Sequence, residues 1–165
     1  MIHIKKNLAE VTNGVIAHGV NCRGVMGSGV AKALRDVHPT IFEPYKRLCD
    51  ASKSAGNLES LLGKAQLITV HNIWTRTHQE YLSVANCFTQ LNYGNDGKVY
   101  ADPEAIFKSL DHVFFISSLY QVDVYMPKIG CGLGGLIWSD LESEIQKIYD
   151  KYSPTSGKNL YICDL

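Results

Sequence analysis

Two stretches decide how this chain folds. One is Gly14-Val15-Ile16-Ala17-His18-Gly19-Val20-Asn21-Cys22-Arg23-Gly24-Val25-Met26-Gly27-Ser28-Gly29-Val30-Ala31, and the other is Val122-Asp123-Val124-Tyr125-Met126-Pro127-Lys128-Ile129-Gly130-Cys131-Gly132-Leu133-Gly134-Gly135. Each opens as a strand rich in β-branched and apolar residues and then breaks into a glycine loop ahead of a helical pattern. At such a junction the first N–H groups of the helix lack intrahelical partners, and the helix dipole favours an anion. Glycine lets the main chain reach left-handed angles and approach a ligand closely. Two such loops in one small domain can grip a diphosphate from both sides; the alternative is that these glycines only form turns.

Working outward, Val30 to Val37 reads as a helix stopped by His38-Pro39, because a proline pushes its predecessor away from helical angles. Thr40-x-x-Glu43 has capping-box spacing for a second helix, with Pro44 blurring its start. Ala65–His71 and Tyr81–Gln90 are strand-like, and a connection of only about ten residues favours an antiparallel pair and hence a mixed sheet. After the loop from Asn92 to Ala101, Asp102-Pro103 supplies an N-cap and a first-turn proline. Ile106, Leu110, Val113 and Phe114 then recur at helical spacing. Ser139-x-x-Glu142 is a second capping box ahead of the stripe Leu141, Ile145, Ile148, Tyr149 and Tyr152. Met1–Asn7 and Leu160–Leu165 are terminal strands. The order β-β-α-α-β-β-α-β-α-β predicts one α/β layered domain over residues 1–165, with helices on both faces of one sheet.

Composition agrees with that reading. The chain has 165 residues, 45% of them hydrophobic and 19% charged, enough for one core that needs no disulfide. Sixteen basic residues balance sixteen acidic ones, so no general electrostatic drive toward nucleic acid or a membrane surface exists. No apolar run approaches the ~18 residues of a spanning helix, and the first residues lack signal-peptide order; a cytoplasmic monomer is expected. Five scattered cysteines without a C-x-x-C pair read as reduced thiols.

Several familiar sites are excluded. Lys32 stands where a dinucleotide fingerprint needs its third glycine, and no Walker sequence occurs. A cysteine phosphatase needs an arginine closing the loop after its nucleophile, yet Ser28 and Ile137 occupy that spacing after Cys22 and Cys131. The histidines show no metal-ligand spacing, so neither metal nor other cofactor is expected.

His18-x-x-Asn21-Cys22-x-Gly24-x-x-Gly27-x-Gly29-Val30-Ala31 and Met126-Pro127-Lys128-Ile129-Gly130-Cys131-Gly132-Leu133 together resemble the macrodomain family of ADP-ribose-binding modules. The similarity is to its small stand-alone branch, which includes ADP-ribose 1''-phosphate phosphatases. Lys6-Asn7-Leu8, Leu61-Leu62-Gly63-Lys64 and Tyr161 to Leu165 add to the match. The resemblance implies a three-layer α/β/α domain with a mixed six-stranded sheet and ADP-ribose across the strand ends.

It also implies roles. Asn7 and Leu8 match the adenine contact, where many relatives carry an aspartate before the apolar residue; an Asx turn is the alternative for Asn7. Gly27, Ser28, Gly29 and Val30 match the loop that holds the proximal phosphate and ribose, and Gly130, Cys131, Gly132, Leu133 and Gly134 match the second phosphate loop. Asn21 matches the residue that orients the distal ribose, with a turn-capping side chain as its alternative. His18 is a candidate acid, base or nucleophile toward a phosphate monoester, or else a hydrogen-bonded core histidine. Cys22 and Cys131 suit packing better than nucleophilic roles, and Tyr93 can line the pocket. Gly134 replaces the aspartate that follows Gly-Cys-Gly-Leu in relatives that remove ADP-ribose from glutamate, and no lysine lies between Trp74 and Tyr93. The expected activity is therefore hydrolysis of ADP-ribose 1''-phosphate, with removal of ADP-ribose from modified protein or nucleic acid, or binding alone, as the rival readings.

Overall fold

The computed structural model describes residues 1–164. Six strands form one sheet: β1 (Ile2–Lys5), β2 (Gly14–Asn21), β3 (Ala65–Trp74), β4 (Gln79–Gln90), β5 (Val124–Met126) and β6 (Leu160–Asp164). Their order is β1-β6-β5-β2-β4-β3. Every neighbouring pair is parallel except β3 with β4, which is antiparallel. The parallel strands therefore all end at one edge of the sheet. Ligands of open α/β sheets bind at such an edge, where crossover connections diverge.

Helices α1 (Gly29–Val37) and α2 (Phe42–Ser54) cover one face of the sheet, while α3 (Pro103–Tyr120), α4 (Glu142–Asp150) and the short α5 (Ser153–Ser156) lie on the other. Alternate residues of β2 serve the two cores. Val15 and Ala17 pack with Ile106, Leu110 and Phe114 of α3, whereas Ile16 and Val20 pack with Leu34, Ile41 and Tyr45 on the α1–α2 side. A strand buried on both faces needs apolar residues at nearly every position, which is what Gly14–Asn21 supplies.

Local chemistry explains most boundaries. Asp102 accepts a hydrogen bond from Glu104 N at 3.0 Å and Pro103 occupies the first turn, so α3 begins where that pair dictates. The β3–β4 hairpin is antiparallel as expected, but both strands run further than their apolar patterns and only residues 75–78 connect them. Conversely, β5 is shorter than the Val122–Ile129 run, because Pro127 has no N–H to continue the ladder.

Neither predicted capping box forms. Pro39–Ile41 makes a 3-10 turn ahead of α2, and Trp138–Asp140 makes another ahead of α4, leaving Ile41 and Leu141 at the helix starts without side-chain caps. The last strand ends at Asp164; the predicted Leu165 lies outside the described residues. Among those residues, no helix is long and apolar enough to cross a membrane.

Candidate functional site: a cleft between two amide-lined loops

A cleft of about 830 Å³ opens at the ends of β5, β2 and β4. Its walls are the two glycine loops: Val25 to Ala31 on one side and Gly130 with Gly132 to Gly134 on the other. Gly19, Val20, Asn21, Thr89 and Gln90 contribute from the strand ends, and Tyr93, Gly94, Asn95, Pro127, Lys128 and Ile129 complete the lining.

The first loop is shaped by Asn21. Its Oδ1 accepts from Arg23 N (2.9 Å), and its Nδ2 donates to Val25 O (2.8 Å). The Tyr45 hydroxyl, fully buried, reaches Asn21 Oδ1 at 2.9 Å and Asn21 O at 2.8 Å while accepting from Val25 N at 3.1 Å. Burial drives the Tyr45 phenol well above its ordinary range, so it stays a neutral hydrogen-bonding group. Beyond Val25 the pattern changes. The N–H groups of Met26, Gly27, Ser28, Gly29, Val30 and Ala31 have no acceptor among the described residues; the first α1 bond runs from Lys32 N to Ser28 O. Gly29 sits at φ +60, a left-handed angle that a residue with a side chain adopts at a cost.

The second loop does not run straight into a helix, as the sequence suggested. It is a closed double turn: Cys131 N bonds Lys128 O, Gly135 N bonds Gly132 O, and Leu136 N bonds Gly130 O. Tyr100 N and Ala101 N both donate to Gly134 O, fastening the turn to the approach of α3. The N–H groups of Gly130, Gly132, Leu133 and Gly134 have no acceptor among the described residues. Concave runs of unpaired amides of this kind bind anions without any side-chain charge. The backbone must pass tightly here, since a Cβ on Gly134 would fall 2.6 Å from Gly130 O.

Electrostatics fit an anionic guest. Among the described lining residues the only formal charge is Lys128, whose Nζ lies 3.2 Å from Oδ1 of Asp164, a residue outside the cleft lining.

The predicted site residues therefore divide. Asn21, Gly27, Ser28, Gly29, Val30, Gly130, Gly132, Leu133 and Gly134 come together around one cavity, and Tyr93 joins them. His18 does not. It is fully buried, does not line the cleft, and sits in register with Asn86 beneath the α1–α2 side, with Nε2 2.6 Å from Asn86 Oδ1. Burial outweighs that hydrogen bond and lowers its pKa from 6.5 to about 4. His18 thus sits where the core-histidine alternative puts it, away from the cleft.

Cys131 packs against the α3-side core with its thiol 3.5 Å from Ile129 O rather than facing the cavity. Burial raises the Cys131 thiol and takes Cys22 up to about 12, so neither is a thiolate at neutral pH. Leu8 belongs to the α1–α2-side core and not to the cavity lining. Asn7 forms the Asx turn, accepting from Ala9 N at 3.0 Å, and lines a smaller depression with Ile4, Lys5, Lys6, Glu10 and Asp164 at the same sheet edge. Sequence reasoning missed Tyr45, Thr89, Gln90, Asn95 and Lys128. Thr89 and Gln90 close β4, Asn95 and Lys128 follow strand ends, and Tyr45 lies on α2, a whole helix beyond the loop it fastens.

Similar proteins are found both in sequence and in fold. An uncharacterized 17.5 kDa protein of enterobacteria phage T4 is 32% identical over 138 residues, covering 84% of this chain and 79% of its own. The ADP-ribose 1''-phosphate phosphatase of Debaryomyces hansenii is 29% identical, covering 91% and 88%. Among solved structures, the macrodomain of Mycobacterium tuberculosis DarG superposes with a TM-score of 0.76 at 20% identity over 99% of this chain and 97% of that one. The chain has the macrodomain fold. No protein-family model matches it. This macrodomain is also 25% identical to a DNA ADP-ribosyl glycohydrolase of M. tuberculosis, but there it spans 92% of itself and only 41% of the relative's length.

Proposed function

We propose that this macrodomain holds ADP-ribose by its diphosphate between the two loops and hydrolyses ADP-ribose 1''-phosphate to ADP-ribose and phosphate, with water as the acceptor. The observation that carries the reading is the pair of facing amide runs, Met26–Ala31 and Gly132–Gly134, whose N–H groups lack acceptors among the described residues on both sides of one cleft. Phosphoryl transfer requires positioning and stabilisation of charge on oxygen more than it requires covalent chemistry from the protein. Pre-formed amides and the Lys128 ammonium supply that stabilisation without reorganising. Asn21 fixes the shape of the first loop and borders the distal sugar. Asn7, at the β1 end of the same sheet edge, takes the adenosine end, with Leu8 holding its turn in the core. His18 has no part in the chemistry.

The phosphatase relatives support this choice because they align over nearly their whole length. A second reading, binding of ADP-ribose without turnover, is favoured by one feature: no histidine, thiol or carboxylate stands among the described residues lining the cleft. Phosphate release from ADP-ribose 1''-phosphate separates the two. Release that disappears in Gly134→Ala and persists in His18→Gln supports the proposal. ADP-ribose binding with no release selects the second reading, and release of ADP-ribose only from a modified macromolecule contradicts both.

A further inference from the structure

The pairing of β2 with β4 does not stop at the last ladder pair. Val20 lies opposite Phe88 and Asn21 opposite Gln90, with Thr89 bulged between them. Cys22 N then donates to Leu91 O at 3.2 Å, and Arg23 Nε donates to Asn92 Oδ1 at 2.8 Å. Both members of this last pair are held from behind: Arg23 N donates to Asn21 Oδ1 at 2.9 Å, and Asn92 O accepts from Gln90 Nε2 at 2.7 Å. Asn21, Val25, Gln90 and Tyr93, which flank the pair in sequence, all line the cleft, whereas Arg23 is exposed beside it. The Nε bond fixes the direction of the guanidinium, and its two Nη groups have no acceptor among the described residues. The cations of the adjoining helices are spent differently. Lys32 of α1 and Lys46 of α2 pair with Asp36 and Asp50, each at 2.7 Å.

A guanidinium pinned at Nε still offers the paired donors of its two Nη groups, a spacing that matches two oxygens of one phosphate. Resting on the reading of the cleft given above, we propose that Arg23 is a specificity-determining residue that takes the terminal phosphate of ADP-ribose 1''-phosphate. The direction follows from strand order. With adenosine toward Asn7 at the β1 edge and the diphosphate between the loops after β5 and β2, a group attached to the terminal sugar leaves the cleft over the ends of β2 and β4. The lining there, Gly19, Asn21, Thr89, Gln90 and Tyr93, is uncharged, and Lys128 stands on the side of the second loop. A phosphate monoester emerging at that end meets the free face of Arg23. The contact exists for the substrate and is lost with the phosphate, so it favours substrate over product.

The test compares ADP-ribose with its 1''-phosphate in the parent, Arg23→Gln and Arg23→Lys. Calorimetric titration reads ADP-ribose, and the KM and kcat of phosphate release read the 1''-phosphate. Arg23→Gln is expected to lower kcat/KM for the 1''-phosphate about tenfold to a hundredfold while changing ADP-ribose affinity by less than about twofold. Arg23→Lys keeps a charge without the planar fork and should recover part of the loss. Equal changes for both ligands, or an unchanged kcat/KM in Arg23→Gln, overturns the role of Arg23 and leaves the cleft reading standing. A parent that binds ADP-ribose but releases no phosphate overturns the hydrolysis reading alone, and titration of the intact 1''-phosphate then decides the role of Arg23 by the same comparison. A parent that binds neither ligand overturns the cleft reading and this role with it. Circular dichroism melts of the variants separate a folding defect from a lost contact.

Discussion

His18 Nε2 lies 2.6 Å from Asn86 Oδ1, and the two residues face each other in register across β2 and β4. Asn86 continues the chain of contacts by donating through Nδ2 to Ile41 O at 3.3 Å, so the pair ties the central strands to the segment that starts α2. His18→Ala would leave a cavity and an orphaned amide oxygen in the core. The expected loss is about 2–4 kcal/mol of stability, read from urea denaturation. ADP-ribose affinity of the folded fraction should be unchanged.

The same residue predicts a pH dependence. Folding lowers the His18 pKa from 6.5 to about 4, so between those values the unfolded chain binds a proton that the folded chain does not. Stability from this group is complete above pH 6.5 and is lost as pH falls toward 4, by about 3 kcal/mol in total. Comparing urea midpoints at pH 7 and pH 4.5 for the parent and His18→Gln isolates the effect. The parent should lose more than the variant over that interval.

Asn21 and Tyr45 are expected to couple structure with binding. In Asn21→Asp the carboxylate still accepts from Arg23 N but no longer donates to Val25 O, and it adds a negative charge to the cleft wall. ADP-ribose affinity should fall by more than about tenfold, because the charge opposes a diphosphate. Tyr45→Phe removes only the hydroxyl and should cost about 1–2 kcal/mol of stability with a smaller loss of affinity.

The glycines of the second loop give a contrast. A Cβ at Gly134 would collide with Gly130 O and lie 2.9 Å from Ala101 Cβ, whereas a Cβ at Gly132 would meet nothing within 4 Å. Gly134→Ala is expected to distort the turn and abolish ligand binding. Gly132→Ala should fold like the parent, a difference that thermal melts and ADP-ribose titrations register together.

Lys128 is half exposed and shares its charge with Asp164, so its contribution is a screened one. Lys128→Gln should weaken ADP-ribose by about threefold to tenfold at low salt, with the difference shrinking as salt rises. Titrations in low and high potassium chloride measure that slope.

Much of this arrangement was readable from residues 14–31 and 122–135, because a buried strand ending in clustered glycines has few structural uses. The Asp102-Pro103 start and the antiparallel β3–β4 pair followed from local chemistry for the same reason. The position of His18 was not readable. A strand covered on both faces carries apolar residues throughout, so alternation gives no sign of which side a polar residue meets. The capping boxes at Thr40 and Ser139 failed because 3-10 turns consumed the residues meant to cap. Thr89 was hidden by its bulge, which depends on pairing between distant strands, and Tyr45 by a long-range contact to a loop that precedes it by a helix.

The most direct measurement is a nitrogen–proton correlation spectrum of labelled protein titrated with ADP-ribose. Amide resonances of Gly27, Ser28, Gly29, Val30, Gly132, Leu133 and Gly134 should move together and saturate at one ligand per chain, while those of β3 stay in place. Saturating ADP-ribose that leaves both sets of loop amides unshifted in folded protein would contradict the assignment of these two loops as the diphosphate cradle.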